Sequence, residues 1–203
     1  MDRYIVVAGN IGSGKTSLVD YLSRRYPLRP VFEPNEANPY LEDFYRDMKR
    51  WSFHSQVFFL IRKYRLHREM ERETASVIQD RSIYEDAEIF ARNLYRSRKM
   101  SKRDFATYWE LYETFREDLR PPDVLIYLHC SVRALRRRIR ARGRPMEQGL
   151  PSRYLRRLNE LYESWIGDYD LSPVIRIPTD RMDYVTDLLD RHAVLKAIEE
   201  YLS

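Results

Sequence analysis

"YIVVAGNIGSGKTSLVDYL", residues 4–22, decides the architecture. An apolar run, Tyr4 to Ala8, breaks into Gly9, Gly12, Gly14 and Lys15, then resumes with Leu18, Val19 and Leu22 on one helical face. The segment Gly9-Asn10-Ile11-Gly12-Ser13-Gly14-Lys15-Thr16 fits G-x-x-x-x-G-K-[ST] at every fixed position. Glycines let the backbone curl so that successive N–H groups converge on phosphate oxygens at a helix N-terminus. Lys15 is placed to reach the β- and γ-phosphates of a bound triphosphate, and the Thr16 hydroxyl to ligate Mg²⁺.

Working outward, further short apolar runs occur at 30–33 "PVFE", 75–79 "ASVIQ", 123–129 "DVLIYLH" and 173–177 "PVIRI". They are apolar on both faces, as strands covered by helices on each side require. Helical periodicity predicts helices near 15–26, 40–48, 51–73, 82–97, 101–119, 131–142, 151–169 and 182–202. This alternation predicts an α/β fold with a five-stranded parallel sheet flanked by helices. The breaks "RPPD" (120–123) and "DLSP" (170–173) are too short for linkers, so residues 1–203 are expected to form one domain.

Hydrophobic residues make up 43% of the 203, enough for a full core, and the net charge of +5 suits an anionic partner without choosing between nucleotide and nucleic acid. The single cysteine, Cys130, excludes an internal disulfide, and the four histidines lack metal-ligand spacing. No apolar run approaches membrane-spanning length and the N-terminus reads as a strand, so a cytoplasmic protein without membrane or nucleic-acid partner is expected.

In a parallel sheet the ligand crevice lies at the carboxyl ends of the strands. Gly9, Glu33 and Asp80 should all emerge there. Asp80, ending "SVIQD", is placed to hold Mg²⁺ directly or through water. Arg81 beside it suits a transferring phosphate or an incoming hydroxyl. Glu33, at the end of the second strand and followed by Pro34, suits a base that takes a proton from an acceptor hydroxyl. In "RIRARGRPMEQG" (138–149), Arg138, Arg142 and Arg144 run down one helix into a glycine-containing loop, the pattern of a short lid that closes over a triphosphate. On residue type alone, a helix cap for Asp80, a solvated carboxylate for Glu33 and a basic helix end for the arginines stay open.

Four separated pieces, "GNIGSGKTS", "FEPNEANPYLEDFYRDMKRWSFHSQVFFL", "QDRSIYEDAEIFARNLY" and "RARGRPMEQG", occur in the order and spacing of the deoxyribonucleoside kinases. The chain resembles the bacterial deoxyadenosine/deoxycytidine kinase branch over nearly its whole length. The resemblance implies transfer of the ATP γ-phosphate to the 5′-hydroxyl of a 2′-deoxyribonucleoside, with ATP and Mg²⁺ bound, and a homodimer packed through segments such as 51–73 and 101–119. It gives Glu33 the role of base for the 5′-hydroxyl, places Arg81 near that hydroxyl, and has Asp80 help with Mg²⁺. Tyr45 and Glu147 match the pair on the sugar 3′-hydroxyl. Gln56 matches the amide that reads the base edge, with Asp86 behind it, and Phe59 and Phe90 match positions that sandwich the base. Arg138, Arg142 and Arg144 match the lid arginines. Lys63 stands where relatives usually carry arginine beside the base, and it lacks that residue's rigid fork. Gln56 pairs with adenine or cytosine, and an ionised Asp86 favours an exocyclic amino group. The expected order is therefore deoxyadenosine, deoxycytidine, deoxyguanosine.

Other classes fit less well. A GTPase needs N-K-x-D, which is absent from the sequence. A thymidylate-kinase-like nucleotide kinase needs cations for the acceptor's own phosphate, where Glu33 is expected to stand. A basic nucleic-acid-binding ATPase would carry its arginines in a stripe and a recognisable motif.

Overall fold

The Tyr4–Ala8 run forms β1, buried along its entire length because it is the middle strand of five. The computed structural model describes residues 1–32, 38–182 and 187–201. The sheet runs β2-β3-β1-β4-β5, where β2 is Leu28–Val31, β3 is Ser76–Asp80, β4 is Val124–His129 and β5 is Val174–Pro178. Each pairing is parallel. Val7 pairs with both Asp80 and Ile126, so the loop after β1 and the carboxylate of β3 leave the sheet on the same edge.

Alternating side chains Ile5 and Val7, with Ile78, Ile126 and Leu128, meet Leu18, Val19 and Leu22 of α1 (Lys15–Arg25) and Val194 and Ile198 of α10 (Leu188–Ile198) in one core. Burying each such aliphatic side chain contributes about 1.5–3 kcal/mol. On the other face the Tyr127 ring stacks on Tyr162 of α9 (Ser152–Gly167), with centroids 5.7 Å apart. The expected two-sided apolar pattern fits β1, β3 and β4. Edge strands β2 and β5 are partly exposed, and Pro30 sits on an edge where a missing N–H is tolerated. β2 opens at the buried Leu28 and runs to Val31, against the predicted 30–33, of which Glu33 lies outside the described residues.

Two compact units make up the chain: Met1–Phe32, Thr74–Arg81 and Pro121–Ser203 in the first, Glu33–Glu73 and Ser82–Arg120 in the second. The first holds the sheet, α1, α7 (Val132–Arg142), α8 (Pro145–Gln148), α9 and α10. Of the predicted 182–202 helix, α10 covers Leu188–Ile198, Met182 instead closes a turn with its amide on Thr179 O at 3.3 Å, and 183–186 and 202–203 lie outside the described residues. The second unit is helical, with α2 (Leu41–Arg46), α3 (Met48–Glu71), α4 (Ile83–Glu85), α5 (Arg92–Arg96) and α6 (Lys102–Glu117). Its apolar centre includes Phe44, Leu94 and Met100. Asp47 caps α3 by accepting from the amides of Lys49 (3.1 Å) and Arg50 (3.2 Å), so this helix starts before the predicted residue 51. The predicted single helix 82–97 contains a π-helical segment, Asp86–Ala91, between α4 and α5. Among the described residues, no helix is long and apolar enough to cross a membrane.

Candidate active site

The loop after β1 is built by residues that accept little substitution. Gly12 has φ +81, and a Cβ there would meet Ile139 Cγ1 at 2.9 Å and Leu135 O at 3.2 Å. Gly14, at φ 102, leads into α1 in the left-handed conformation. Asn10 anchors the loop to α9, donating to Leu155 O at 2.9 Å and Asn159 Oδ1 at 2.6 Å, while its own Oδ1 accepts from the Ile11 amide at 2.7 Å. Tyr162 donates to Gly9 O at 2.9 Å. Lys15 is buried and donates to Gly9 O (2.8 Å) and Asn10 O (3.2 Å), which fixes its ammonium at the mouth of the loop.

Thr16 donates to Asp80 Oδ2 at 2.5 Å. The other carboxylate oxygen, Oδ1, is buried with no hydrogen-bond partner among the described residues. A buried anionic oxygen beside a hydroxyl is a donor set that suits a hard divalent cation, so these residues fit Mg²⁺. Among the described residues no group of three His, Cys, Asp or Glu gathers at one point. Next to Asp80, Arg81 holds φ 64, uncommon for a non-glycine residue, with its amide on Val7 O at 3.2 Å. Such a conformation costs roughly 1–2 kcal/mol, and strain of this kind clusters at functional sites.

A cavity of about 520 Å³ opens over this loop, lined by Gly12, Gly14, Lys15, Thr16, Arg138 and Arg142, among others that include Arg137, Arg144 and Met182. Arg138 is the most heavily engaged of its arginines. It donates to Ser13 O (3.1 Å), Thr179 Oγ1 (3.2 Å) and Met182 O (2.9 Å), and also to Thr179 O, tying the phosphate loop to the turn after β5. That turn is held in place as Asp180 accepts from the Ser131 amide at 3.0 Å. Burial works against charge on Asp180, yet the Ser131 hydrogen bonds, His129 and Arg138 hold its carboxyl below the usual range. Arg142 and Arg144 both turn to Glu147, a buried carboxylate.

The second unit holds a buried polar cluster. Lys63 of α3 reaches both oxygens of Asp86, at 3.1 and 3.0 Å, and both side chains are almost fully buried. Gln56, one helical face along α3, is buried, and its Oε1 has no hydrogen-bond partner among the described residues. Phe59 is buried and Phe90 half-buried, while Tyr45 packs on the Phe44, Leu94 and Met100 cluster. Asp86 opens the π-helical segment and Phe90 lies within it; π-turns recur where a functional side chain must be re-aimed.

The structure thus gathers Gly9, Asn10, Gly12, Ser13, Gly14, Lys15, Thr16, Asp80, Arg81, Arg138, Arg142, Arg144 and Glu147 in the first unit and Tyr45, Gln56, Phe59, Lys63, Asp86 and Phe90 in the second. Glu33 lies outside the described residues. The sequence reading did not single out Arg137 and Met182, which line the cavity, or Asn159 and Tyr162, which brace the loop. Neither of the last two carried a signal beyond the amphipathic face of its helix. Tyr108 of α6 was missed too: burial and then the charge of Asp86 push its phenol well above the ordinary value, so it stays a neutral hydroxyl.

The chain is similar to known proteins over nearly its whole length. The family model for deoxynucleoside kinases matches residues 5–203. A deoxyadenosine/deoxycytidine kinase of Bacillus subtilis (strain 168) is 37% identical over 187 residues, covering 90% of this chain and 85% of that protein. A deoxyguanosine kinase of Lactobacillus acidophilus is 35% identical over 207 residues, covering 98% of this chain and 90% of that one. A deoxyadenosine kinase from M. mycoides, solved with the products dCMP and dCDP bound, superposes with a TM-score of 0.85 at 27% identity, covering 97% of this chain and 98% of that chain. The same M. mycoides enzyme with bound dATP also gives a TM-score of 0.85. With its phosphate loop, five-stranded parallel sheet and near full-length match, the chain belongs to the deoxynucleoside kinase family.

Proposed function

We propose that this kinase transfers the γ-phosphate of ATP to the 5′-hydroxyl of a 2′-deoxyribonucleoside, with deoxyadenosine preferred, deoxycytidine second and deoxyguanosine third. The observation that carries the nucleoside reading is the buried Gln56 Oε1, which has no hydrogen-bond partner among the described residues. A buried acceptor left unmatched costs about 1–3 kcal/mol, so the site favours a base that brings a donor. Adenine and cytosine each present an amino group beside a ring nitrogen, which the carbonyl and amide nitrogen of Gln56 pair together. Thymine brings its ring N3–H to the same acceptor, so Gln56 alone does not separate the bases; the preference for an amino group comes from Asp86, an acceptor that thymine's carbonyl would face.

In this reading Phe59 and Phe90 sandwich the base, and Tyr45 and Glu147 take the sugar 3′-hydroxyl. Arg81 orients the 5′-hydroxyl and Glu33 accepts its proton. The phosphate-loop amides and Lys15 hold the triphosphate, and Arg138, Arg142 and Arg144 form the lid over it. Mg²⁺, held by Thr16 and Asp80, supplies neutralising charge at the phosphates. Phosphoryl transfer asks mainly for alignment and charge stabilisation, which is what these residues offer. The reading also takes the protein to be cytoplasmic and a homodimer packed through α3 and α6, whose half-buried aromatics include Phe53, Trp109 and Phe115.

The test is kcat/KM for the four deoxynucleosides and their ribose counterparts with ATP-Mg²⁺. Deoxyadenosine should rank first, and Asp86→Ala should narrow the gap between amino-bearing bases and thymine. Thymidine as the best acceptor would overturn the base reading. Glu33→Gln should keep nucleoside binding and lose most turnover; a near-normal kcat removes Glu33 from the base role.

A further inference from the structure

The cations around the phosphate-loop cavity differ in what holds them. Lys15 donates to main-chain carbonyls of the loop, and Arg138 to those of Ser13, Thr179 and Met182 with the Asp180 carboxylate nearby. Arg142 and Arg144 rest on an anion: Arg142 Nη2 donates to Glu147 Oε2, and Arg144 Nη1 lies 3.6 Å from Glu147 Oε1. Glu147 is 7% exposed, whereas the side chains of Arg142 and Arg144 are 34% and 49% exposed and line the cavity. The lid around it is built to hold that carboxylate. Gly143, in the left-handed conformation, ends α7 and turns the chain between the two arginines. Pro145 then opens the four-residue α8 that carries Glu147, and Gln148 ties this turn back to Ile139 O at 3.1 Å.

We propose that Glu147 is the counter-anion of the lid, a positioning residue that holds Arg142 and Arg144 and yields them to the donor's phosphates, and so sets how tightly the donor is bound. The inference rests on the triphosphate reading of this cavity. A guanidinium has several donors but one charge, and a carboxylate already on it lowers what a second anion gains. Near the arginines, a triphosphate and an ionised Glu147 are like charges competing for the same two partners. The resemblance gives this carboxylate to the acceptor sugar; its contacts give it a role on the donor side as well.

The probe is inorganic tripolyphosphate, titrated calorimetrically into the full-length protein at low salt, with ATP alongside. Replacing Glu147 by Gln keeps the shape and removes the charge. Glu147→Gln should bind tripolyphosphate about tenfold tighter or more, the scale of a close buried charge pair. That gain should vanish in an Arg142→Gln/Arg144→Gln background, and Glu147→Asp, which keeps the anion, should stay close to wild-type affinity. A lid that Glu147 merely braces would bind more weakly without it, so the sign of the change separates the two roles. Unchanged or weaker binding in Glu147→Gln overturns the proposal, as does a gain that persists without the arginines. If Glu147→Gln does not fold, Glu147→Ser takes its place, with tighter tripolyphosphate binding expected and unchanged or weaker binding overturning the proposal. A wild-type protein that binds neither tripolyphosphate nor ATP fails the triphosphate reading itself, and this inference with it.

Discussion

Replacing Lys63 by Met isolates a buried charge, and the structure gives the size of the effect. Lys63 and Asp86 are 1% and 4% exposed, and the ammonium lies 3.0 Å from Asp86 Oδ2. At an effective dielectric near 20, two unit charges at this distance attract by about 5–6 kcal/mol. Methionine preserves most of the volume but strands the carboxylate, and breaking a buried pair in this way costs about 3–5 kcal/mol. Against a total stability of about 5–15 kcal/mol the loss is large. Removing the second charge as well, in Lys63→Met/Asp86→Leu, should recover most of it, since a buried ion pair often gains little over apolar replacements. Urea unfolding of the wild type, both single variants and the double variant gives the coupling directly. A Lys63→Met cost under about 1 kcal/mol, with additive single effects, would refute the reasoning, because uncoupled sites add to within about 0.5 kcal/mol.

Other perturbations read different parts of the molecule. Gly12→Ala should weaken ATP binding and lower stability by about 1–2 kcal/mol from the positive φ alone, with more from the Ile139 contact, measurable by calorimetry and thermal unfolding. Thr16→Val and Asp80→Asn should each weaken the apparent Mg²⁺ affinity about tenfold or more in Mg²⁺-dependence assays, with nucleoside binding retained. Stability should also fall in mild acid. Burial drives His67 down from 6.5 to about 4 despite Glu71 nearby, so the folded protein binds its proton later than the unfolded chain does. The contribution is complete above pH 6.5 and is lost as pH falls towards 4, by about 3 kcal/mol in total, and His67→Gln should flatten that part of the urea-derived profile.

The parts of this molecule that were legible in the sequence are those fixed by neighbours along the chain. The strand, loop and helix from Tyr4 to Leu22 follow from glycine spacing and helical periodicity, and each holds in the structure. The grouping of Arg138, Arg142 and Arg144, which line one cavity, was visible for the same reason. Where competing interactions come from distant residues, the sequence reading drifted. Arg138, 44 positions before Met182 in the chain, takes the Met182 carbonyl into a turn at what was read as the start of the final helix. The π-helical segment at Asp86 is invisible to a 3.6-residue period, since one inserted residue changes the hydrogen-bond pattern without altering composition. The Lys63–Asp86 pair joins residues 23 positions apart, and the resemblance placed both near the base without saying that they bond to one another.

The second unit is assembled from two stretches of chain, Glu33–Glu73 and Ser82–Arg120, separated by a strand of the sheet. Lys63 comes from the first stretch and its partner Asp86 from the second. A chimera that imports one stretch from a relative therefore inherits half of a charge pair. Recombination between such enzymes calls for both stretches to be moved together, or for the junction to be chosen so that positions 63 and 86 share a parent.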